Sequence, residues 1–171
     1  MTGLDTIREK MRDYLEAQGI SALCAFPMAG RTTEEPVVVV SLRQCDSTSA
    51  GFSNYLGQIW EGDSQNWQEL YGQRVRLTIG LDLYAAMGSG EEGVRTAFDQ
   101  LTAALHKGGP EGLRLQNVSC GETTFDRQER RYRCPAQAVY DAMLYAVRRE
   151  DGSFLDFEVK GDMKCEPCDQ S

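Results

Sequence analysis

Histidine is nearly missing from this chain: its 171 residues include one, His106. A zinc-binding HExxH helix needs two, and no GxSxG nucleophile elbow is present either. A cysteine nucleophile would have to use His106 as its base. That residue falls in the last turn of an expected helix, where an imidazole better suits the negative end of the helix dipole. Long apolar runs are missing too. The valines at 37–40 are far short of the ~20 residues that span a membrane. The start, MTGLDTIREK, carries acidic residues and lacks the apolar core of a secretory signal. Basic charge is in deficit, with 18 Lys and Arg against 26 Asp and Glu and a formal net charge of −8. That balance argues against sequence-specific nucleic-acid binding, because neutralising phosphates demands a basic surface. Arg127, Arg130, Arg131 and Arg133 are a local exception and read as a solvated hairpin with Glu129 interleaved. No phosphate-cradling loop occurs: MGSGEEG at 87–93 has no Lys or Thr after its glycines and puts two glutamates where an anion would sit.

Six cysteines are present. Without a signal-like start, free thiols in a reducing compartment are expected. Cys120 and Cys134 sit in strand-like stretches and read as small buried hydrophobes. Cys165 and Cys168 form the one CxxC, in a polar tail. A zinc site takes four ligands, so this pair could complete one only with another subunit. A redox CxxC would open a helix after a strand. The expectation is an inert tail. No catalytic residue, cofactor or metal ligand is predicted.

What is present is a strong strand pattern. In residues 74–85, RVRLTIGLDLYA, Val75, Leu77, Ile79, Leu81 and Leu83 alternate with polar or small residues. That period of two marks a central strand with one face in a core. Residues 2–18 read as an amphipathic helix, with Leu4, Ile7, Met11, Tyr14 and Leu15 on one face and Gly19 as its left-handed end. PVVVVSLR at 36–43 reads as a strand buried on both faces or at a tight seam. A second helix, 89–106, should be capped by Ser89 with Glu92 and bury Val94, Ala97, Phe98, Leu101, Ala104 and Leu105. Residues 113–121 read as a strand whose apolar phase shifts at Gln116–Asn117, a bulge signal. Residues 131–147 read as one long strand, with Pro135 at an edge or bulge. FLDFEVK at 154–160 reads as the last strand. The predicted fold is one α+β domain over residues 1–161, a mixed, mostly antiparallel sheet covered on one face by two helices. A mobile polar tail, 162–171, follows.

Residues 44–73 stand apart. They begin CDSTSAG, which reads as loop, and hold both tryptophans. Phe52, Tyr55, Trp60, Trp67 and Tyr71 make them a candidate aromatic-rich hairpin arm. Tyr and Trp bury much area at low entropic cost, so interfaces favour them. The alternative is that these rings fold back as a lid on the core.

The order of these elements resembles the tail terminator family, the tail-completion proteins of long-tailed bacteriophages and prophages. The likeness runs through the N-terminal helix, PVVVVSLR, RVRLTIGLDLYAA, the 89–106 helix, RCPAQAVYDAMLYA and FLDFEVKG. The stretch ELYGQRVRLTIGLDLYA is also similar in wording to prophage proteins. The family carries no invariant catalytic motif. The resemblance implies a non-enzymatic virion protein, made in the bacterial cytoplasm. It would form a homo-oligomeric ring, six subunits in the family, that ends the tail tube and joins it to the head–tail connector proteins. DNA would pass through the ring without sequence-specific contact, and no membrane is involved. Alternatives are a tail tube or head–tail adaptor protein, or a metal-binding protein using Cys165 and Cys168.

Overall fold

A computed structural model describes residues 3–25, 35–49, 54–63, 65–148 and 158–160. The chain runs α1 (Gly3–Ala17), β1 (Ala22–Leu23), β2 (Val37–Ser49), β3 (Tyr55–Glu61) and β4 (Asn66–Ala86). A 3₁₀ turn (Met87–Ser89) leads into α2 (Gly90–Lys107). Then come β5 (Arg114–Cys120), β6 (Thr124–Asp126), β7 (Arg131–Cys134), β8 (Ala136–Arg148) and β9 (Glu158–Lys160). The fold is α+β, and the strands described form one sheet. β1 runs parallel to β2, and the other pairings are antiparallel.

Strand β4 is the spine, at 21 residues. Along one edge it pairs with β2 over residues 73–84 and with β3 over 66–71. Along the other it pairs with β8 over 69–80 and β7 over 83–86. β7 and β8 keep one register with β4, from Glu69 opposite Arg148 to Ala86 opposite Arg131. They are one course interrupted at Pro135, which has no N–H for the ladder. The single strand expected over 131–147 is thus split there. β5 pairs with β8, and its register shifts between Leu115 and Asn117, where the apolar phase changes in sequence.

The core lies on the odd-numbered face of β4. Val75, Leu77, Ile79, Leu81 and Leu83 are fully buried with Val38 and Val40 of β2 and Ala138 and Tyr140 of β8. Ile7, Met11 and Leu15 of α1 and Val94, Leu101 and Leu105 of α2 belong to the same cluster. The α1 stripe is therefore explained by its i, i+4 spacing. Its end is a Schellman motif. Gly19 has φ 78°, its N–H donates to Glu16 O at 2.9 Å, and the Ile20 N–H donates to Leu15 O at 2.9 Å.

Several expectations are corrected. CDSTS is not loop: residues 45–49 continue β2 opposite 73–77 of β4. Ser89 does not cap α2. It already has helical angles, φ −81° and ψ −17°, as the last residue of the 3₁₀ turn, and its side chain makes no capping hydrogen bond. Between the strands expected at 113–121 and 131–147 lies a further short strand, β6. Cys120 is exposed, while Cys134 is buried. Of the last expected strand, 158–160 pair with β8, and 154–157 lie outside the described residues, as do Cys165, Cys168 and the tail.

Candidate functional site

The aromatic segment is a two-stranded hairpin, β3 against the start of β4. Trp60 stands opposite Trp67, and Tyr55 opposite Tyr71. The tryptophan rings meet edge to face with centroids 5.4 Å apart, and the tyrosine rings do so at 5.6 Å. Such contacts hold rings in fixed orientation and contribute roughly 0.5–1.5 kcal/mol beyond area burial. Tyr71 donates a hydrogen bond to Glu69 at 2.8 Å, and Gln68 donates one to Glu61. Trp60 and Trp67 remain 53% and 58% exposed, and Tyr55 and Ile59 are exposed as well. Tyr71 is half-buried. Trp67 and Tyr71 project from the same odd-numbered face as the core residues, but the buried helix cluster starts at Val75. Phe52, the fifth candidate, lies outside the described residues.

A second exposed apolar patch sits at the opposite end of β4. Met87, just past that strand, is 54% exposed, and Phe125 of β6 is 40% exposed. Phe125 packs on Tyr132 at 4.9 Å, and the guanidinium of Arg130 reaches the Met87 sulfur at 3.8 Å. Asp126 is engaged locally, accepting the N–H groups of Gln128 and Glu129. Glu129 in turn meets Arg131 at 4.0 Å. The sequence flagged the arginines here but not Phe125 or Met87, because an isolated aromatic in a polar turn gives no periodic signal. From Trp67 to Met87 the spine spans roughly 65 Å at ~3.3 Å per residue.

From Arg74 to Asp82 the even-numbered face of β4 carries polar side chains and Gly80. Arg43, the bulged residue of β2, bonds to Asp82 of β4 and crosses that strand to donate to Gln137 of β8 at 3.2 Å. Arg133 donates to the other Asp82 oxygen at 3.1 Å. Gly80 makes the crossing possible: a Cβ there would lie 2.5 Å from Arg43 Nε. Further along, Asp46, Arg76, Asp141 and Arg114 stand opposite one another across β2, β4, β8 and β5. Arg76 donates to Asp141 at 2.9 Å. Alternating signs of this kind tie strands together but assemble no acid–base pair.

His106 is exposed on the rim of a cleft of about 540 Å³ between α2 and β5. That cleft is lined by Phe98, Leu105, Leu113, Leu115 and Val118 with amides and backbone, and no carboxylate or thiol joins His106 there. Burial pushes the Cys45 thiol up, with Asp46 adding to the effect. Burial also pushes Cys134 up. A raised thiol pKa means little thiolate at neutral pH, opposite to the tuning of a nucleophile. Among the described residues, no group of three His, Cys, Asp or Glu side chains is placed to hold a metal ion, and no helix is long and apolar enough to cross a membrane. No protein-family model matches the chain, and comparison with curated proteins finds no match.

Proposed function

We propose that this protein is a structural assembly subunit of a long-tailed phage or prophage, of the tail terminator kind. It closes into a ring that ends the tail tube and joins it to the head connector. One observation carries the reading: two unlike apolar patches are exposed at opposite ends of β4. One is Tyr55, Ile59, Trp60 and Trp67; the other is Met87 and Phe125. A ring is built from head-to-tail contacts, which need two different, mutually complementary surfaces on each subunit. A two-fold dimer would need one self-complementary surface instead. The resemblance of the order of elements to that of the terminator family supplies the rest of the argument.

Light scattering across a wide concentration range tests this. A discrete closed particle, expected to be a hexamer, should appear as concentration rises and dissolve when Trp60 and Trp67 are both replaced by Ala. Open-ended growth would show that the head-to-tail rotation does not close and would place the protein with tail tube subunits. A monomer at every concentration would refute self-assembly through these patches.

A further inference from the structure

We infer that Cys120 and Cys134 form a thiol-pair site that takes a disulfide-class oxidant and closes into an intramolecular disulfide. The topology brings them together. β5 ends at Cys120 opposite Ala136, and β7 ends at Cys134, two residues before Ala136. Alternation puts Cys134 and Ala136 on the same face, so Cys120 and Cys134 are diagonal neighbours on adjacent courses. The Gly121 N–H donates to Pro135 O at 2.7 Å and locks this crossing. The Cys134 thiol donates to Gly121 O at 3.6 Å, which aims it at the residue after Cys120. Cys120 is near enough to act on the Cys134 proton. Both line one cavity of about 150 Å³ beneath α2, with Thr123 beside them.

Diagonal neighbours start with Cα atoms roughly 7–8 Å apart, and a disulfide needs under ~7 Å. Closure therefore draws the ends of β5 and β7 together by a small step. The two thiols are unequal, since Cys120 is exposed and Cys134 is 3% exposed. Cys120 thiolate attacks oxidised glutathione first, releasing one reduced glutathione and leaving a mixed disulfide. Cys134 thiolate then attacks the Cys120 sulfur and releases the second. The two thiols lose two protons and two electrons, and the glutathione disulfide is reduced by them. Burial and the neighbouring Cys120 hold the Cys134 proton, with Thr123 pulling the other way. Glu91 and Arg95 of α2 face the cavity, and Asp82 acts from β4. The second step is therefore the slow one at neutral pH and quickens as pH rises. Cys24, bonded to Arg8 O, and Cys45, on β2, serve as internal controls.

The test incubates the native protein with oxidised glutathione, alkylates remaining thiols, and maps tryptic peptides by mass. The expected product is peptide 115–127 joined to peptide 134–148, lighter by two hydrogens. Cys120→Ser, an exposed change, should abolish the link and leave Cys134 free of glutathione. Several results would overturn the inference. Cys120 could stop at the mixed disulfide, pair with Cys24, Cys45 or another copy, or stay reduced with Cys134. Glutathione on Cys134 in Cys120→Ser at the wild-type rate would overturn the order of attack.

Discussion

Replacing Gly80 with Ala should change the sign of its effect with the residue at position 43. A β-strand interior prefers Ala to Gly by about 0.5–1 kcal/mol, because Gly loses more conformational freedom on folding. Gly80 has no positive φ to protect, so backbone preference alone makes the change stabilising. The added Cβ, however, occupies the place of the Arg43 guanidinium and also crowds Ser41 Oγ. The Ser41 hydroxyl can turn to another staggered rotamer. Arg43 cannot both avoid the methyl and keep Asp82 and Gln137. The Arg43–Asp82 pair is half-buried, with side chains 32% and 14% exposed. A charged hydrogen bond there, discounted for solvent, contributes about 1–2 kcal/mol. Gly80→Ala should therefore cost about 0.5–1 kcal/mol in the wild type and stabilise by about 0.5–1 kcal/mol in Arg43→Ala. Urea denaturation of the four proteins of the cycle reads the coupling directly. The same sign in both backgrounds would refute the reasoning and make Ser41 or the backbone the obstacle.

Replacing Trp60 and Trp67 together should cost the monomer no more than about 1.5 kcal/mol, since the rings are exposed and lose chiefly each other. Assembly followed by light scattering should fall much further, and unfolding of the double variant would place the rings in the core. Gly19→Ala should destabilise α1 by about 1 kcal/mol through backbone strain alone, because nothing lies within 4 Å of the added methyl; thermal melting checks this. Burial raises the Tyr140 phenol well above its ordinary value, with Tyr14 adding to the shift. The folded state then holds a proton that the unfolded state releases above pH ~10, so stability is intact below that pH and falls as pH rises beyond it. Tyr140→Phe should flatten that alkaline fall, as measured by urea midpoints from pH 9 upward.

The sequence made β4 legible because apolar side chains hold every odd position from Val75 to Leu83 and none of the positions between. The β5 bulge was legible because an extra residue moves apolar side chains to the other phase. Residues 45–49 were not, because the far end of β2 is exposed, so no apolar alternation survives and backbone pairing to β4 alone makes it strand. The Ser89 cap failed because a 3₁₀ turn gave that residue helical angles before the helix began. The aromatic hairpin showed in composition, but whether its rings faced solvent depended on where the helices end along the sheet. The partner patch at Met87 and Phe125, and the meeting of Cys120 with Cys134, depend on strand pairing, and neither leaves a mark in local spacing.

The unbroken register between β4 and the β7–β8 course bears on how the protein is made. β4 emerges from the ribosome early, its β2 and β3 partners already synthesised. Residues 87–130 must follow before the first residue of β7 can pair. At 5–20 residues per second, one whole edge of a 21-residue strand stays unmatched for seconds. For the first half of that wait, until Lys107 completes α2, α1 is the one described helix available to cover its apolar face. A nascent chain paused in this window presents an open strand edge to every other copy on the same message, which makes the tempo of translation through α2 and β5 a determinant of yield.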